Sequence, residues 1–373
     1  MFIGNWPMER ALITPEQTAC KDLGAKRNYT WREFSNECDA VANYLYRDKK
    51  INYGDRIVVI AENSAASLSL FFASLQAGAV FVPIDPYSPN AVINKILSEV
   101  RPKLIFFDEF ASGKSGCANA IEFSSENLLS ETLNLNKNAP HITEVSLSVS
   151  DPACIIFTPD EIPVGIVISH SMIYYSSVSL MLIHNFSGKD NVLGMLNFSS
   201  PAGLFMRLLP CLFAGGSVSL LPSNKITESI LKEFPLSDTY TDDKQTELLN
   251  FDGNYVFPWA GVKKFDLNEF KERKFKLLFP CVGFDCFYLP KGDFPYNALG
   301  FPSYNIQPKI GDSQSGLQLP EGEIGELFFR GSSLFSCFWN HPKKTSESFL
   351  NGWLRTGVMA YCKNGFYFLE DKV

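Results

Sequence analysis

Short apolar runs alternate along this chain with segments in which apolar residues recur every three or four positions. Thr30-Trp31-Arg32-Glu33 is a capping box, which predicts a helix beginning here and ending near residue 50. The apolar positions of this segment fall on one helical face and comprise Trp31, Phe34, Cys38, Val41, Ala42 and Leu45. The β-branched run over 55–61 follows and is typical of a buried parallel strand.

The alternation continues beyond this first pair. Helices are predicted over 64–77 and 91–100, and strands over 80–84 and 103–107. Residues 111–150 are rich in Ser and Asn and predict an irregular surface connection. Further on, the pattern predicts strands over 154–158, 164–169, 192–196 and 217–221, and helices over 170–183 and 202–214. A short helix near 268–273 and strands over 323–330 and 365–369 complete the prediction.

Strands that alternate with helices of this length imply right-handed βαβ crossovers and mostly parallel sheets. The sequence therefore predicts an α/β fold with two stacked, mostly parallel-sheet α/β subdomains and a smaller β-rich subdomain. The expected boundaries are about 1–150 and 151–280 for the two α/β subdomains and 281–373 for the β-rich one.

Composition narrows the function classes. Of 373 residues, 46% are hydrophobic and 20% charged, enough to bury a large core. The net charge of −7, without clustered Lys and Arg, argues against nucleic-acid binding. The apolar runs are shorter than the roughly 20 residues that a membrane span needs. Nine scattered cysteines and the expected lack of a signal peptide predict a cytoplasmic protein with reduced thiols and a small-molecule ligand.

Three segments, in this order, resemble the adenylate-forming (AMP-binding) superfamily of acyl-CoA synthetases and amino-acid adenylation domains. They are residues 29–86, which include LQAGAVFVPIDP at 75–86; the GGSV segment at 215–218; and residues 325–357, which end in Arg355-Thr356-Gly357. The resemblance implies the N-terminal domain fold of an acyl-CoA synthetase. It also implies activation of a small carboxylic or amino acid by ATP, with Mg²⁺, to an acyl-adenylate.

The phosphate-binding loop of the family corresponds to residues 157–170. Thr158, Pro163 and Gly165 match the family pattern, but the Ser/Thr-Gly run and the Lys are missing and the loop is shorter. Two carboxylates at 160 and 161 stand where a polyphosphate would lie, and they would repel it. His170 falls where the family has its Ser-His; the alternative interpretation is a histidine that starts a helix.

The metal and ribose positions also depart from the family. Gly283 stands at the position of the Glu that holds magnesium, although Asp285 could substitute if the alignment shifts. Val358 stands where an Asp grips the ribose hydroxyls, and leaving such a hydroxyl unpaired costs about 1–3 kcal/mol. The smaller C-terminal domain of the family, with its catalytic Lys, is expected to be absent.

The substrate position departs as well. Phe198-Ser199 resembles the Phe-Asp of amino-acid-activating members, with Ser199 in place of the Asp that pairs with a substrate amine. The alternative is that Ser199 is an N-cap between a strand and a helix.

With no catalytic residue intact, the resemblance leads to an adenylate-forming domain that is impaired or inactive, a pseudoenzyme that persists as a binding or scaffolding module. Two alternatives stay open. One is an active ligase with an altered ATP site, to which a C-terminal domain is supplied in trans. The other is a truncated gene product.

Overall fold

The computed structural model describes residues 2–158, 161–194, 196–222, 255–257, 275–277, 287–288, 295 and 298–370. Within these ranges the helices, in chain order, are α1 (Trp6–Ile13), α2 (Trp31–Asn43), α3 (Ala65–Gln76), α4 (Asn90–Val100), α5 (Leu129–Thr132), α6 (His170–His184), α7 (Pro201–Leu204), α8 (Leu208–Phe213) and α9 (Pro342–Glu347). Short 3₁₀ turns lie at Ile3–Asn5, Glu109–Ala111 and Cys117–Asn119, and a π-helical turn spans Tyr44–Asp48.

The first ten strands are β1 (Thr18–Asp22), β2 (Arg27–Thr30), β3 (Arg56–Ile60), β4 (Val80–Ile84), β5 (Leu104–Phe107), β6 (Ile121–Glu122), β7 (Pro152–Phe157), β8 (Gly165–Ser169), β9 (Asn191–Gly194) and β10 (Ser217–Leu220). The later strands are β11 (Tyr255–Phe257), β12 (Phe275–Leu277), β13 (Phe287–Tyr288), β14 (Phe301–Pro302), β15 (Ile306–Gly311), β16 (Gly325–Gly331), β17 (Cys337–Phe338), β18 (Phe349–Leu350), β19 (Trp353–Lys363) and β20 (Phe366–Leu369).

Seven strands form the first sheet, in the order β17-β8-β7-β4-β3-β5-β6. The five strands β7, β4, β3, β5 and β6 are parallel to one another, whereas β8 is antiparallel to both β7 and β17. The central strands β3 and β4 are almost entirely apolar and buried, as parallel strands covered on both faces must be. The carboxyl ends of β3, β4 and β5 consequently meet at one edge of this sheet.

A second sheet has the order β2-β1-β10-β9, in which β1, β10 and β9 are parallel and β2 is antiparallel. The prediction of an α/β fold with mostly parallel sheets is confirmed. Each sheet takes strands from both sides of residue 150: β7 and β8 join the first sheet, and β1 joins β10 in the second. The chain therefore passes between the two sheets more than once.

Helix α3 packs between the two sheets. Ser64 caps its first turn, Gly78 follows its end with φ of +74°, and all twelve of its residues are buried. The Phe71 ring lies 5.3 Å from the ring of Phe81 in β4 and 6.3 Å from that of Phe205 after α7. A helix that is buried on every face needs cover on every face, and α2, the 3₁₀ turn at Ile3–Asn5 and strands β4 and β1 provide it.

The β-rich part is a five-stranded antiparallel sheet, β15-β16-β19-β18, with β20 paired to β19. Its strands β16 and β20 correspond to the predicted strands over 323–330 and 365–369. Two small pairs of strands precede this sheet in the sequence, namely β11 with β12 and β13 with β14.

The structure corrects the prediction of one continuous helix over 202–214. The single helix predicted over 202–214 is divided into α7 and α8, because the backbone leaves the helical region at Arg207, with φ of −138°. Pro210 then lies in the first turn of α8, where its missing amide costs no helical hydrogen bond. The helix predicted near 268–273 lies outside the described residues.

The connection over 111–150 contains strand β6 and helix α5 in addition to irregular chain. It is fixed to the first helical layer by His141, whose ring nitrogens lie 2.7 Å from Asp39 and 3.2 Å from Asn5. In the part of the chain that the structure describes, no helix has the length and apolarity to cross a membrane.

The capping box at the start of α2 is confirmed and can be tested. The Thr30 hydroxyl accepts a hydrogen bond from the Glu33 amide, and the Glu33 carboxylate accepts one from the Thr30 amide. Thr30→Ala should lower the free energy of unfolding by about 1 kcal/mol, because the Glu33 amide loses its acceptor. Urea titration of the variant measures the loss. Thr143→Ala, the same change at an exposed position outside the helices, is the control, and equal losses in the two variants would contradict the role of the cap.

Candidate functional site

Arg355-Thr356-Gly357 forms a bulge in strand β19. The pairing of β16 with β19 shifts between Glu326, which lies opposite Met359, and Phe328, which lies opposite Arg355. Three residues of β19 therefore face one residue of β16. Gly357 has φ of +71°, a backbone conformation that a residue with a Cβ atom adopts only with strain.

The buried carboxylate of Glu326 holds this bulge. Its Oε2 lies 2.7 Å from Arg355 Nη2, and its Oε1 accepts a hydrogen bond of 3.1 Å from the Gly357 amide. These hydrogen bonds raise the pKa of the Arg355 guanidinium, which also donates to the carbonyl of Ser313 at 3.1 Å. The Thr356 hydroxyl donates to the carbonyl of Leu327 at 2.7 Å. The bulge is thus fixed by polar groups on three sides.

Val358 completes the bulge with an apolar side chain. Its amide donates to Thr356 Oγ1 at 3.0 Å, and its side chain is half-buried against the hydrophobic core. The backbone of the motif is therefore well determined, but its last residue offers no side-chain oxygen to a ligand.

The loop between β7 and β8 is closed at its base by two hydrogen bonds. The Thr158 amide donates to the Val164 carbonyl at 3.0 Å, and the Val164 amide donates to Thr158 Oγ1 at 2.9 Å. Lys95 of α4 reaches the loop, and its ammonium donates to the backbone carbonyl of Glu161 at 2.6 Å. Glu161 itself is exposed. Residues 159–160, including one of the two added carboxylates, lie outside the described residues.

Gly165 is a packing position at the start of β8. A Cβ atom here would lie 2.9 Å from Ile155 and 3.0 Å from the Cβ of Trp339, whose amide donates to the Gly165 carbonyl at 2.8 Å. Glycine is required by this close approach of β17, whether or not a ligand binds nearby.

His170 lies at the other end of β8 from the loop and begins helix α6, with Ser169 as the N-cap. Its ring is buried and meets the ring of Phe2 edge-on at 5.9 Å. Burial lowers the pKa of His170 to about 4, so the ring is neutral near pH 7. The five residues of β8 place it about 16 Å along the strand from the loop.

Phe198 and Ser199 lie where the segment after β9 meets the carboxyl end of β3. The Phe198 amide donates to Asn63 Oδ1 at 3.1 Å, and Asn63 Nδ2 donates to the carbonyl of Leu196 at 2.7 Å. In return, Asn197 Nδ2 donates to the carbonyl of Ala61 at 2.9 Å. Phe198 is buried and Ser199 half-buried at this junction of the two sheets.

Acidic groups line the same edge of the first sheet. Glu62 follows β3, Asp85 follows β4 and Asp108 follows β5. Asp108 is fully buried and accepts hydrogen bonds from the Glu62 amide at 2.8 Å and the Phe110 amide at 3.1 Å, yet burial raises its pKa to about 7. Burial, the charge of Glu62 and a hydrogen bond to it raise the pKa of Tyr87 to about 12.

The predicted site residues that the structure describes thus fall into four places. Thr158 and Gly165 share the β7–β8 hairpin, and His170 lies at the other end of β8. Phe198 and Ser199 lie at the sheet junction, and residues 355–358 form the bulge in the β-rich sheet. Gly283 and Asp285 lie outside the described residues. Among the residues that are described, no group of three or more His, Cys, Asp or Glu side chains is arranged to hold a metal ion.

Sequence reasoning did not assign roles to Lys95, Asn63 or Asn197. Lys95 lies on a helix far from the loop in sequence, and no spacing rule connects the two. Asn63 and Asn197 each follow a predicted strand, so their position beyond a strand end was a usable signal.

The chain belongs to the AMP-binding enzyme family, whose sequence profile matches residues 8–235. It is 22% identical over 394 aligned residues to a feruloyl-CoA synthase of Amycolatopsis sp., covering 100% of this chain and 78% of that protein. It is 24% identical over 400 residues to a D-alanine--D-alanyl carrier protein ligase of Listeria welshimeri, covering 96% of this chain and 76% of the ligase.

The fold is shared with solved structures. Superposition on ATP-bound MatB from Rhodopseudomonas palustris gives a TM-score of 0.81 at 19% identity, covering 99% of this chain and 78% of that one. The fold assignment as the N-terminal domain of an acyl-CoA synthetase is confirmed by this likeness.

The contribution of Glu326 to the bulge can be measured. Glu326→Ala removes the acceptor for Arg355 and for the Gly357 amide, and should lower the free energy of unfolding by about 2 kcal/mol, because a backbone amide and a partly exposed guanidinium both lose their partner. Glu347→Ala is the control, since it removes an exposed ion pair with Lys343 at 3.9 Å and should change stability by less than about 0.5 kcal/mol. Chemical denaturation of both variants provides the comparison. Similar losses would show that the carboxylate does not hold the bulge.

Proposed function

We propose that this chain is an adenylate-forming ligase domain that is impaired in ATP-dependent activation and acts as a binding or scaffolding module in the cytoplasm. The single observation that carries the proposal is Val358. It ends a motif whose backbone is held by Glu326, Arg355 and Thr356, yet it presents methyl groups where the family resemblance places a carboxylate.

The energetic consequence of Val358 is direct. A ribose hydroxyl that leaves water to lie against Val358 loses a hydrogen bond, at a cost of about 1–3 kcal/mol. In the family's arrangement, one carboxylate would accept from both ribose hydroxyls, so the weakening applies to the nucleoside part of ATP. At this position, the side chain present offers a ribose no acceptor.

The loop over 158–164 supports the same conclusion for the phosphates. Its base is closed by Thr158 and Val164, and the ammonium of Lys95 is engaged by the carbonyl of Glu161. The exposed Glu161 adds negative charge beside this position. A triphosphate would meet a carboxylate here, and the repulsion is about 1 kcal/mol for each pair of charges at close range in water.

The organic ligand that we propose is a small carboxylic or amino acid, by analogy with the feruloyl-CoA synthase and the D-alanine ligase to which the chain is similar. Ser199 lies at the sheet junction, at the position where the resemblance places the partner of a substrate amine. A neutral hydroxyl is a weak partner for an ammonium group, which favours an acid without an amine.

A second function is an active ligase with an altered ATP site, completed by a C-terminal domain in trans. The observation that favours it is the intact bulge, since the Glu326–Arg355 pair and the left-handed Gly357 are the costly parts of the motif to keep. This alternative requires measurable adenylation.

The proposal predicts that the chain does not bind ATP with micromolar affinity. Isothermal titration of the full chain with ATP and Mg²⁺ should give no saturable heat up to about 100 μM ligand, because Val358 offers the ribose no acceptor and Glu161 repels the phosphates. Pyrophosphate exchange with a panel of carboxylic acids should likewise be absent. A micromolar dissociation constant, or exchange with any acid, would establish the ligase alternative instead.

Restoring one acceptor should partly restore nucleoside binding. Val358→Asp should tighten AMP binding by about tenfold relative to the parent chain, because a carboxylate then faces the ribose hydroxyls from a bulge that is already formed. Val358→Leu is the matched control, since it changes the size of the side chain without adding an acceptor. Saturation-transfer NMR with AMP compares the variants, and equal signals from Asp and Leu would refute the assignment of this position.

A further inference from the structure

Trp339 lies directly after strand β17 and against the start of strand β8. Its backbone amide donates to the Gly165 carbonyl at 2.8 Å. The Cβ of Trp339 lies 3.0 Å from the position that a Cβ atom would take at Gly165. Since Gly165 is the first residue of β8, Trp339 contacts the chain where the loop between β7 and β8 ends.

The indole ring of Trp339 extends from this contact to the start of β3. Its centroid lies 5.8 Å from the guanidinium carbon of Arg56, within the distance at which a cation is attracted to an aromatic ring. The ring is half-buried and packs against the apolar cluster that includes Ile96 of α4 and Val167 of β8. The ring is thus fixed by apolar packing as well as by Arg56.

The end of helix α4 is held by the same group of residues. The last carbonyl groups of a helix have no partner within the helix. Arg56 donates to the carbonyls of residues 100–101 at 2.7 and 2.9 Å. The Glu99 carbonyl accepts from Asn340 Nδ2 at 3.2 Å and, at the longer distance of 3.5 Å, from Trp339 Nε1. Side chains from β3 and from the segment after β17 therefore cap α4 together.

Helix α4 in turn reaches the loop through Lys95. Lys95 lies about one turn before Glu99, and its ammonium donates to the Glu161 carbonyl at 2.6 Å. The loop therefore has two supports from outside its own hairpin, one at Gly165 and one at Glu161. Trp339 contacts the first support directly, and it contacts the helix that carries the second.

We propose that Trp339 is a positioning residue for the loop between β7 and β8. Its backbone amide holds Gly165, and its ring holds the end of α4 and so keeps Lys95 within reach of the loop. A residue of the segment after β17 thereby determines where the loop residues lie. The inference goes beyond the proposed function, since it concerns the folded chain without a ligand.

Hydrogen–deuterium exchange of the full chain tests the proposal. Trp339→Ala removes the ring and keeps the backbone amide. Exchange of the peptides over 161–166 and 97–102 should rise by about tenfold more than exchange of peptides from α3, because the end of the loop and the end of α4 lose the same support. Peptides from α3 report global unfolding, so their exchange measures any general loss of stability.

A conservative variant and a matched control accompany this measurement. Trp339→Phe keeps an aromatic face for Arg56 and lacks the indole N–H, so exchange over 161–166 should stay within about threefold of the parent chain. Trp353→Ala is the matched control. Trp353 is also half-buried and faces a cation, Lys309, at 4.2 Å, but it lies in β19. This control should leave the peptides over 161–166 and 97–102 unchanged relative to α3.

The path through α4 is tested with Lys95→Met, which removes the ammonium and keeps an unbranched side chain. Exchange over 161–166 should rise while the peptide over 97–102 exchanges as in the parent chain, because the cap of α4 is intact. In the double variant with Trp339→Ala, loop exchange should stay within about twofold of that in Trp339→Ala alone, since Lys95 has already lost its hold on the loop.

The proposal is overturned if Trp339→Ala raises loop exchange no more than exchange in α3, or if Trp353→Ala raises it equally. Effects of Lys95→Met and Trp339→Ala that multiply in the double variant would refute the path through α4. Should Trp339→Ala fail to fold, Trp339→Leu replaces it in every comparison, because Leu keeps apolar volume without a flat ring. No nucleotide enters these measurements, so their outcome is independent of the proposed function.

Discussion

The structure depends on one helix that is buried on all sides. Helix α3 carries Leu68, Phe71 and Phe72 on one face, and all twelve of its residues are buried. Such a helix is stable only when structure covers it completely, and here α2, the 3₁₀ turn at Ile3–Asn5 and strands β4 and β1 contact it. The ring of Phe71 meets both the ring of Phe81 in β4 and that of Phe205, between α7 and α8, and so connects the first sheet to the layer beyond it.

The meeting of two sheets at their carboxyl ends creates a second requirement. Backbone groups beyond the last paired residues have no sheet partner, and burying them unpaired costs free energy. Asn63 and Asn197 meet this requirement with short side chains that both donate and accept. In the β-rich sheet, the buried carboxylate of Glu326 likewise accepts a hydrogen bond from the amide of Gly357 in the bulge. Polar side chains at these positions maintain the backbone, whether or not a nucleotide binds.

The fold was largely predictable from the sequence because its strongest signals are local. The capping box at Thr30 and the β-branched run before Ala61 each determine an element without long-range information. The break in the helix predicted over 202–214 could not be predicted in this way, because it depends on the backbone conformation of Arg207 in the folded chain. The sequence also gives no sign that β1 pairs with β10, because parallel pairing is decided by packing across the chain.

The site was predictable only in part. Arg355-Thr356-Gly357 was recognised by its order, and the bulge explains why these residue types occur together. The partner that holds them, Glu326, lies on another strand, and no spacing in the sequence assigns it to the bulge. Lys95 reaches the loop from α4 by a tertiary contact that no spacing indicates. Val358, by contrast, was identified from the sequence alone, because it directly follows Arg355-Thr356-Gly357.

The passage of the chain back and forth between the sheets bears on its synthesis. Cys20 in β1 has its partner Val218 in β10, and Phe81 in β4 has its partner Cys154 in β7. Strand β1 therefore leaves the ribosome long before the strand that it pairs with. The nascent chain carries one exposed edge of β1 until residue 218 has been made. Pairings this distant in sequence close slowly, so the second sheet is completed only after the first has most of its strands.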